Sequence, residues 1–268
     1  MRIWTDVKIN LGLSVLRRRP DGFHDLETLF VPYRGFSDKI EIEPLGQGSR
    51  EDGSMDLVEI SISQCDWDPR TDLTVKAYEI LKTDYPDLPA VRISLEKNVP
   101  VGAGLGGGSA DAAYVLRMLN SMFSLGLSQS GLAGYASRLG SDCAFFIYDR
   151  PMIGTGRGEV LEPYDLNLED YEIRVEIPAG VNVSTKEAYG GIVPRERRPD
   201  GSALMPLREA LSYPVEQWNG LLVNDFETTL FSIHPEIAEL KRSMYERGAV
   251  YASMSGSGSS VFGIFKKR

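Results

Sequence analysis

The chain has 268 residues, of which 42% are hydrophobic and 25% charged, a composition typical of a soluble globular protein with room for one large domain or two lobes. Its formal net charge of −9 argues against a nucleic-acid-binding protein, because phosphate contacts need a basic surface, so we expect no nucleic-acid partner. The two cysteines and two histidines have no metal-ligand spacing, which argues against a zinc site.

The N-terminal segment shows no export signal, since it lacks a charged region followed by an apolar one. No apolar run in the chain approaches the ~18 residues of a membrane span. Cys65 and Cys143 are typical of buried, small apolar side chains in a reducing compartment. We therefore expect a cytoplasmic protein without a membrane partner.

The chain begins with a predicted β-hairpin. Residues 7–15 alternate between apolar and polar, which predicts a strand with one buried and one polar face, and Lys8 and Asn10 share the polar face. Residues 20–22, Pro-Asp-Gly, predict a turn. Residues 26–33 then predict a second strand, paired antiparallel with the first.

The next part of the chain is also rich in predicted strands, which cover residues 38–43, 57–62 and 91–96. The polar stretch 46–55 predicts an exposed, mobile loop. Residues 72–83 carry apolar side chains at helical spacing, and Asp72 is placed to act as the N-cap.

The rest of the chain mixes helices and strands without regular βαβ alternation. A helix is predicted from Ser109, after a glycine-rich turn, and residues 194–203 predict a loop. Further helices are predicted over 128–139, 204–211 and 235–247, and strands over 171–177 and 259–265. This mixture predicts an α+β fold.

The glycine run 102–108 is the first candidate functional element, with five glycines in seven positions between a strand and a helix. Glycines leave backbone N–H groups uncovered, and the positive end of the following helix adds to their attraction for anions. The run therefore predicts a phosphate site, and a flexible hinge is the alternative.

Other nucleotide-binding motifs are excluded. Gly102 to Gly107 fit the dinucleotide pattern G-x-G-x-x-G, but residues 121–131 lack the acidic residue expected for the ribose. A P-loop needs lysine after its last glycine, and Gly108 is followed by Ser109. The chain also lacks the His-Arg-Asp and Asp-Phe-Gly elements of protein kinases.

Residues 100–113, PVGAGLGGGSADAA, closely resemble the signature loop of the galactokinase–homoserine kinase–mevalonate kinase–phosphomevalonate kinase superfamily. The triple glycine followed by Ser-Ala-Asp is similar to the version in 4-diphosphocytidyl-2-C-methyl-D-erythritol kinases. Three further blocks resemble that family in order along the chain, namely KINL at 8–11 followed by RPDGFH at 19–24, LGSD at 139–142 and MSGSGSSVF at 254–262. Four ordered blocks covering nearly the whole chain make this resemblance highly specific.

The resemblance implies a two-lobed α+β small-molecule kinase, which we place at 1–155 for the N-terminal lobe and 156–268 for the C-terminal lobe. It implies ATP and Mg²⁺ as cofactors and a cytidine-diphosphate-linked small molecule as substrate, phosphorylated on a hydroxyl (the 2-hydroxyl) in the non-mevalonate route to isoprenoid precursors. We expect a monomer or a weak homodimer. Another small-alcohol kinase of the superfamily, or a non-catalytic nucleotide-binding module, is the alternative.

The resemblance also implies site residues. Lys8 and Asp142 match the catalytic lysine and aspartate, although Lys8 on a strand could instead extend to solvent and Asp142 could instead cap a helix. Ser109 is placed to contact phosphate or Mg²⁺, and no other metal ligand is visible. The predicted ATP-binding residues are Pro100, Val101, Gly102, Ala103, Gly104, Leu105, Gly106, Gly107, Gly108, Ser109 and Ala110.

The predicted substrate-binding residues are Asn10, Phe23, His24 and Tyr189. Asn10 would orient the acceptor hydroxyl, His24 would contact cytosine, and Tyr189 aligns loosely with an aromatic residue that stacks on the base. An ordinary surface histidine and a half-buried tyrosine are the alternatives. The chain departs from the family pattern at Phe23 (usually tyrosine), Ala110 (usually serine) and Cys143 (commonly valine).

Overall fold

The computed structural model describes residues 1–46, 57–194 and 205–267. The predicted loops at 46–55 and 194–203 lie almost entirely outside the described residues. The strands are β1 (Arg2–Arg18), β2 (His24–Pro44), β3 (Val58–Ile62), β4 (Val91–Glu96), β5 (Met152–Thr155), β6 (Val160–Pro163), β7 (Tyr171–Glu176), β8 (Tyr251–Met254) and β9 (Val261–Lys266). The helices are α1 (Leu73–Asp84), α2 (Gly107–Met122), α3 (Gln129–Leu139), α4 (Cys143–Tyr148), α5 (Thr185–Gly190), α6 (Leu207–Leu211), α7 (Phe226–Ile233) and α8 (Pro235–Glu246). The predicted α+β class is confirmed.

Two sheets organise the described chain. The first has the strand order β3-β4-β2-β5-β6, with β1 also paired to β2, and the second has the order β7-β9-β8. β1 and β2 are joined by the predicted turn, in which the Arg19 amide donates to the Phe23 carbonyl at 2.7 Å. β2 is one strand, so the prediction of separate strands at 26–33 and 38–43 is wrong. Arg34 and Gly35 are exposed, and the apolar alternation is interrupted there although the backbone stays extended.

Two compact units are interleaved along the sequence. One unit comprises Met1–Val7, Phe36–Pro100 and Gly106–Asp149, and the other comprises Lys8–Gly35, Val101–Leu105 and Arg150–Arg268. β1, β2 and the glycine run each contribute residues to both units. Sequence reasoning assumed consecutive lobes, and the lobe limits 1–155 and 156–268 stay a prediction.

The unit that contains α1 to α4 is built around α2. This helix buries the alanines at its start and a row of larger apolar side chains after them, since small residues let neighbouring elements approach closely. Within this unit β4 pairs antiparallel with residues 39–44 of β2 and parallel with β3. Asp72 caps α1 as predicted, because its Oδ1 accepts the Thr74 amide at 2.9 Å.

The other unit places β5 antiparallel to residues 28–30 of β2, and α8 packs on β8 and β9 of the three-stranded sheet. Its core includes Leu13, Val15, Phe226, Leu230, Ile237, Met244, Met254 and Val261, all nearly inaccessible to solvent. Sequence analysis missed β5, β6, β8, α4, α5 and α7, which are four to eight residues long. Elements this short carry too little periodicity to be recognised.

None of the helices in the described part of the chain has the length and hydrophobicity needed to span a membrane.

Candidate active site

Lys8 and Asn10 lie side by side on β1, as the alternation predicted. Both are buried, with exposed fractions of 4% and 2%, so the alternative in which Lys8 extends to solvent is wrong. The Lys8 ammonium donates to Asn10 Oδ1 at 2.6 Å and to the Gly104 carbonyl at 3.0 Å. A buried ammonium needs such acceptors, because water no longer solvates it.

The surroundings of Lys8 restrict its direction. Asn10 donates through Nδ2 to Thr28 Oγ1 at 3.0 Å, and that hydroxyl donates to the Gly12 carbonyl at 2.5 Å. The Phe30 ring centroid lies 5.6 Å from Lys8 Nζ, within cation–π range. These contacts hold Asn10 Oδ1 towards the ammonium, so a charged donor has a defined orientation on β1.

The glycine run adopts a conformation that few other residues tolerate. Gly102, Gly104 and Gly106 have positive φ values of 77°, 75° and 72°, while Ala103 and Leu105 bury their side chains between them. A Cβ atom on Gly104 would lie 2.1 Å from the Ser255 carbonyl oxygen. The run is therefore a defined turn held close to another backbone, which does not support the flexible-hinge alternative.

The neighbour of Gly104 is the C-terminal glycine loop, residues 254–260. Ser255 Oγ donates to the Gly104 carbonyl at 3.1 Å, and the Ser260 amide donates to the Ala103 carbonyl at 3.1 Å. Two glycine motifs that are about 150 residues apart in the chain thus lie against each other. The Gly104 carbonyl accepts from both Lys8 and Ser255.

The start of α2 is suited to bind an anion. α2 begins at Gly107, two residues before the predicted start, and its N-cap Gly106 has no side chain that could cap the first N–H groups. The first N–H groups of a helix lack partners within the helix, and a Cβ on Gly108 would meet nothing within 4 Å. The Ala110 methyl is buried, and its amide is used within α2, since it donates to the Gly106 carbonyl at 2.9 Å.

Asp142 lies in the turn between α3 and α4. It occupies the N-cap position of α4 and is half-buried, yet within the described structure its side chain makes no capping hydrogen bond. The capping alternative is therefore not supported. Ser109 hydrogen-bonds to the Cys143 thiol, so the start of α2 and the Asp142 turn lie together in one unit.

The two cysteines differ in burial. Burial raises the pKa of the Cys143 thiol to about 12, which makes it unreactive, and its predicted burial is confirmed. Cys65 is only half-buried, so the same prediction is wrong for that residue.

His24 and Tyr189 stack on each other, although they come from distant parts of the sequence. Their ring centroids are 5.0 Å apart at an interplanar angle of 25°. Burial, followed by the charge of Arg18, lowers the pKa of His24, so its ring is neutral at neutral pH. Phe23 is 54% exposed, and the Arg157 guanidinium lies 4.9 Å from its ring centroid. Three aromatic or imidazole rings thus lie on one unit, two of them in direct contact.

Two family models match separate stretches of this chain. The GHMP kinases N terminal domain family matches residues 72–150, and the GHMP kinases C terminal family matches residues 214–268. A 4-diphosphocytidyl-2-C-methyl-D-erythritol kinase from Azobacteroides pseudotrichonymphae is 43% identical over 100% of this chain and 94% of its own length. One with the same name from Bacteroides thetaiotaomicron is 44% identical over 99% of this chain and 92% of its own length.

The chain belongs to the 4-diphosphocytidyl-2-C-methyl-D-erythritol kinase family.

A crystal structure of a 4-(cytidine 5'-diphospho)-2C-methyl-D-erythritol kinase agrees with this assignment. It is 33% identical in sequence, with a TM-score of 0.77 over 98% of this chain and 89% of that one. The predicted family and the predicted kinase class are therefore confirmed.

This member of the 4-diphosphocytidyl-2-C-methyl-D-erythritol kinase family also contains a buried charge cluster that sequence analysis missed. The cluster consists of Thr5, Asp38, Lys97 and Asp111, all in the unit that contains α2. Lys97 Nζ donates to Asp38 and, at 2.8 Å, to Asp111. Thr5 Oγ1 donates to Asp111 at 3.1 Å. Lys97 and Asp38 stand alone in the sequence, and only Asp111 belongs to a motif.

The charge cluster connects β4 to α2. Asp38 Oδ1 accepts the amides of Asn98 and Val99 at 2.6 and 2.8 Å, just before the glycine run, and Asp111 lies in the second turn of α2. Burial raises the pKa of Asp111 to about 7, an effect that the charge of Lys97 opposes. Burial alone would lower the pKa of Lys97, but the two carboxylates outweigh it and raise that pKa.

Proposed function

We propose that this protein transfers the γ-phosphoryl group of ATP to a hydroxyl of 4-diphosphocytidyl-2-C-methyl-D-erythritol, and that the acceptor is the 2-hydroxyl. The observation that carries the proposal is sequence identity of 43% to a kinase of that name across this whole chain. The product is an intermediate of the non-mevalonate isoprenoid route. We place the protein in the cytoplasm, as a monomer or weak homodimer.

We propose that the ATP phosphates bind at residues 100–110. The amides at the start of α2 and the positive end of that helix attract anions, and the space beside Gly108 allows close approach. Phosphoryl transfer through a loose transition state depends mainly on alignment and charge stabilisation. A backbone site of this kind supplies both without covalent chemistry.

Lys8 and Asp142 are the proposed catalytic residues. The Lys8 ammonium would stabilise the negative charge that develops on the attacking oxygen, and the Asp142 carboxylate would accept the hydroxyl proton. Asn10, which is hydrogen-bonded to Lys8, would orient the hydroxyl. The support for Lys8 is its burial and fixed direction, and the support for Asp142 is its half-buried place in the turn that is hydrogen-bonded to the start of α2 through Cys143 and Ser109.

The residues present fit Mg²⁺ held mainly by phosphate oxygens. Mg²⁺ in kinases usually takes one or two protein ligands together with substrate phosphates. The described residues contain no group of three or more His, Cys, Asp or Glu side chains that could hold a metal, and the Ser109 hydroxyl at the start of α2 can serve as one ligand. When bound, Mg²⁺ would neutralise charge on the β- and γ-phosphates.

The cytidine end of the substrate is assigned to His24, Phe23 and Tyr189. A neutral imidazole can donate from one nitrogen and accept at the other, which suits a base edge. The Tyr189 ring beside His24 and the exposed Phe23 ring provide flat apolar surface for a base. Phe23 retains the ring of the usual tyrosine and lacks its hydroxyl.

The test is ADP release from ATP with 4-diphosphocytidyl-2-C-methyl-D-erythritol, homoserine and mevalonate as acceptors. Turnover with the cytidine compound alone supports the proposal, turnover with another alcohol supports a related kinase, and no turnover with any acceptor supports a non-catalytic module. Asp142→Asn should lower turnover by about 10²–10⁴-fold while both substrates still bind. Near-normal turnover of the folded variant would remove Asp142 as the base.

A further inference from the structure

Asn224 is a buried asparagine whose amide bonds to two carbonyls of the C-terminal glycine loop. It is 2% exposed and lies just before α7. Its Nδ2 donates to the carbonyls of Met254 and Gly256, both at 2.9 Å, and its Oδ1 accepts the Phe226 amide at 3.1 Å. Both N–H donors of the amide and its oxygen are therefore used, so Asn224 fixes the loop on either side of Ser255.

Ser255, which lies between these two carbonyls in the chain, is hydrogen-bonded to the residues around Lys8. Its Oγ donates to the Gly104 carbonyl at 3.1 Å and accepts a hydrogen bond from the backbone N–H of Asn10 at 3.3 Å. These are the two residues to which the Lys8 ammonium donates. A Cβ on Gly256 would lie only 3.1 Å from Lys8 Nζ, so the loop also limits the space beside the ammonium.

The segment that carries Asn224 is itself attached to β1, the strand of Lys8. The Leu13 amide donates to the Val223 carbonyl at 2.8 Å, and the Asp225 amide donates to the Leu13 carbonyl at 2.9 Å. Asp225 Oδ2 also accepts the Val15 amide at 2.7 Å. Asn224 thus joins the strand to the loop within one unit, through hydrogen bonds at every step.

Asparagine is the residue type that this position requires. Alanine would remove the Asn224 donor from both buried carbonyls, leaving the Met254 carbonyl only a long hydrogen bond of 3.4 Å from Ser253 Oγ, and aspartate would place a negative charge against both of them. Either change would release the loop from β1, and a misplacement of about 1 Å at a reacting group can reduce a rate by about 100-fold.

We propose that Asn224 is a positioning residue, which holds the 254–260 loop against Gly104 and Asn10 and thereby aims the Lys8 ammonium for phosphoryl transfer. The proposal rests on the proposed catalytic role of Lys8. Ser255 is the intermediate contact, and its hydroxyl transmits the position of the loop. Neither Asn224 nor Ser255 touches a substrate in this scheme.

The experiment compares Asn224→Ala, Asn224→Asp and Ser255→Ala in the full chain with Asn120→Ala as a matched control. Asn120 also uses its side-chain amide to bond a backbone carbonyl and N–H, both of Leu127, at the end of α2, and it belongs to the other unit. The measurements are thermal unfolding, and kcat and KM for both substrates well below the unfolding temperature. Each change is also made in the Lys8→Ala background.

The expected result is a fall in kcat of about 10- to 100-fold for the Asn224 and Ser255 variants, with KM values changed less than about threefold. The control should lose stability and keep its kcat. In the Lys8→Ala background the same changes should lower kcat by less than about threefold, because the group they position is already missing.

Two results would overturn the positioning role. One is a normal kcat in folded Asn224→Ala or Ser255→Ala, and the other is a full additional loss in the Lys8→Ala background. If Asn224→Ala does not fold, Ser255→Ala decides, since it removes a single hydroxyl. Normal turnover of Lys8→Ala alone would instead refute the proposed role of Lys8, so the two failures are distinguishable.

Discussion

Asp111→Asn should remove a fall in the stability of this protein between about pH 6 and about pH 8. Burial raises the pKa of Asp111 from 3.8 to about 7. Between those two values the folded state holds a proton that the unfolded state has released. The stability due to this proton is fully present below the unfolded pKa and is lost as the pH rises through the folded pKa.

The fall begins at about pH 4, above the unfolded pKa, and the part between about pH 6 and about pH 8 is the one to measure. Stability changes by 1.36 kcal/mol per pH unit for each proton held by one state only, and Asp111 is on average half protonated across the two units centred on its pKa. The free energy of unfolding should therefore fall by about 1.4 kcal/mol between about pH 6 and about pH 8, or about 3–6 °C in Tm. Asparagine stays neutral throughout, and it can still accept from Lys97 and donate to the Thr5 oxygen.

The assay is urea unfolding at several pH values, for the natural chain, for Asp111→Asn and for the exposed control Asp87→Asn. The natural chain and the control should lose stability in parallel, whereas Asp111→Asn should gain about 1.4 kcal/mol relative to both between about pH 6 and about pH 8. Parallel curves for all three proteins would refute the raised pKa. If the natural chain instead gains stability relative to Asp111→Asn as the pH rises, the pKa of Asp111 is lowered in the folded state and not raised.

Three further outcomes are expected. Lys97→Met leaves two buried carboxylates without their cation and should lower the free energy of unfolding by about 3–5 kcal/mol. The control Lys39→Met breaks a partly exposed ion pair with Glu96 and should lower it by less than about 1 kcal/mol. Equal losses for the two variants in urea titrations would contradict this prediction. Gly104→Ala should abolish activity because its methyl meets a carbonyl at 2.1 Å, while Gly134→Ala in α3, where the methyl meets nothing within 4 Å, should gain up to about 1 kcal/mol. His24→Ala should raise KM for the cytidine substrate about 10- to 100-fold and leave KM for ATP unchanged; equal changes would make His24 structural.

The elements predicted from sequence are those whose cause lies within a few neighbouring residues. The alternation around Lys8 defined β1, Asp72 marked the start of α1, and the glycine run with its following helix indicated an anion site. Side-chain periodicity, capping and positive φ are local effects, so a short window of sequence contains them. The four motif blocks added the family, and with it the expected reaction.

Tertiary structure decided which distant groups meet. The lysine face of β1 was predicted to be polar and is buried, because the Gly104 carbonyl, 96 residues away, and Asn10 satisfy the ammonium. Lys97 looked like an ordinary charged residue until Asp38, 59 residues away, was placed against it. Asn224 belongs to no motif in the sequence, yet two of its hydrogen bonds reach the C-terminal loop. A charge or an amide can be buried only where the whole fold supplies its partners, and no local pattern records which partners those are.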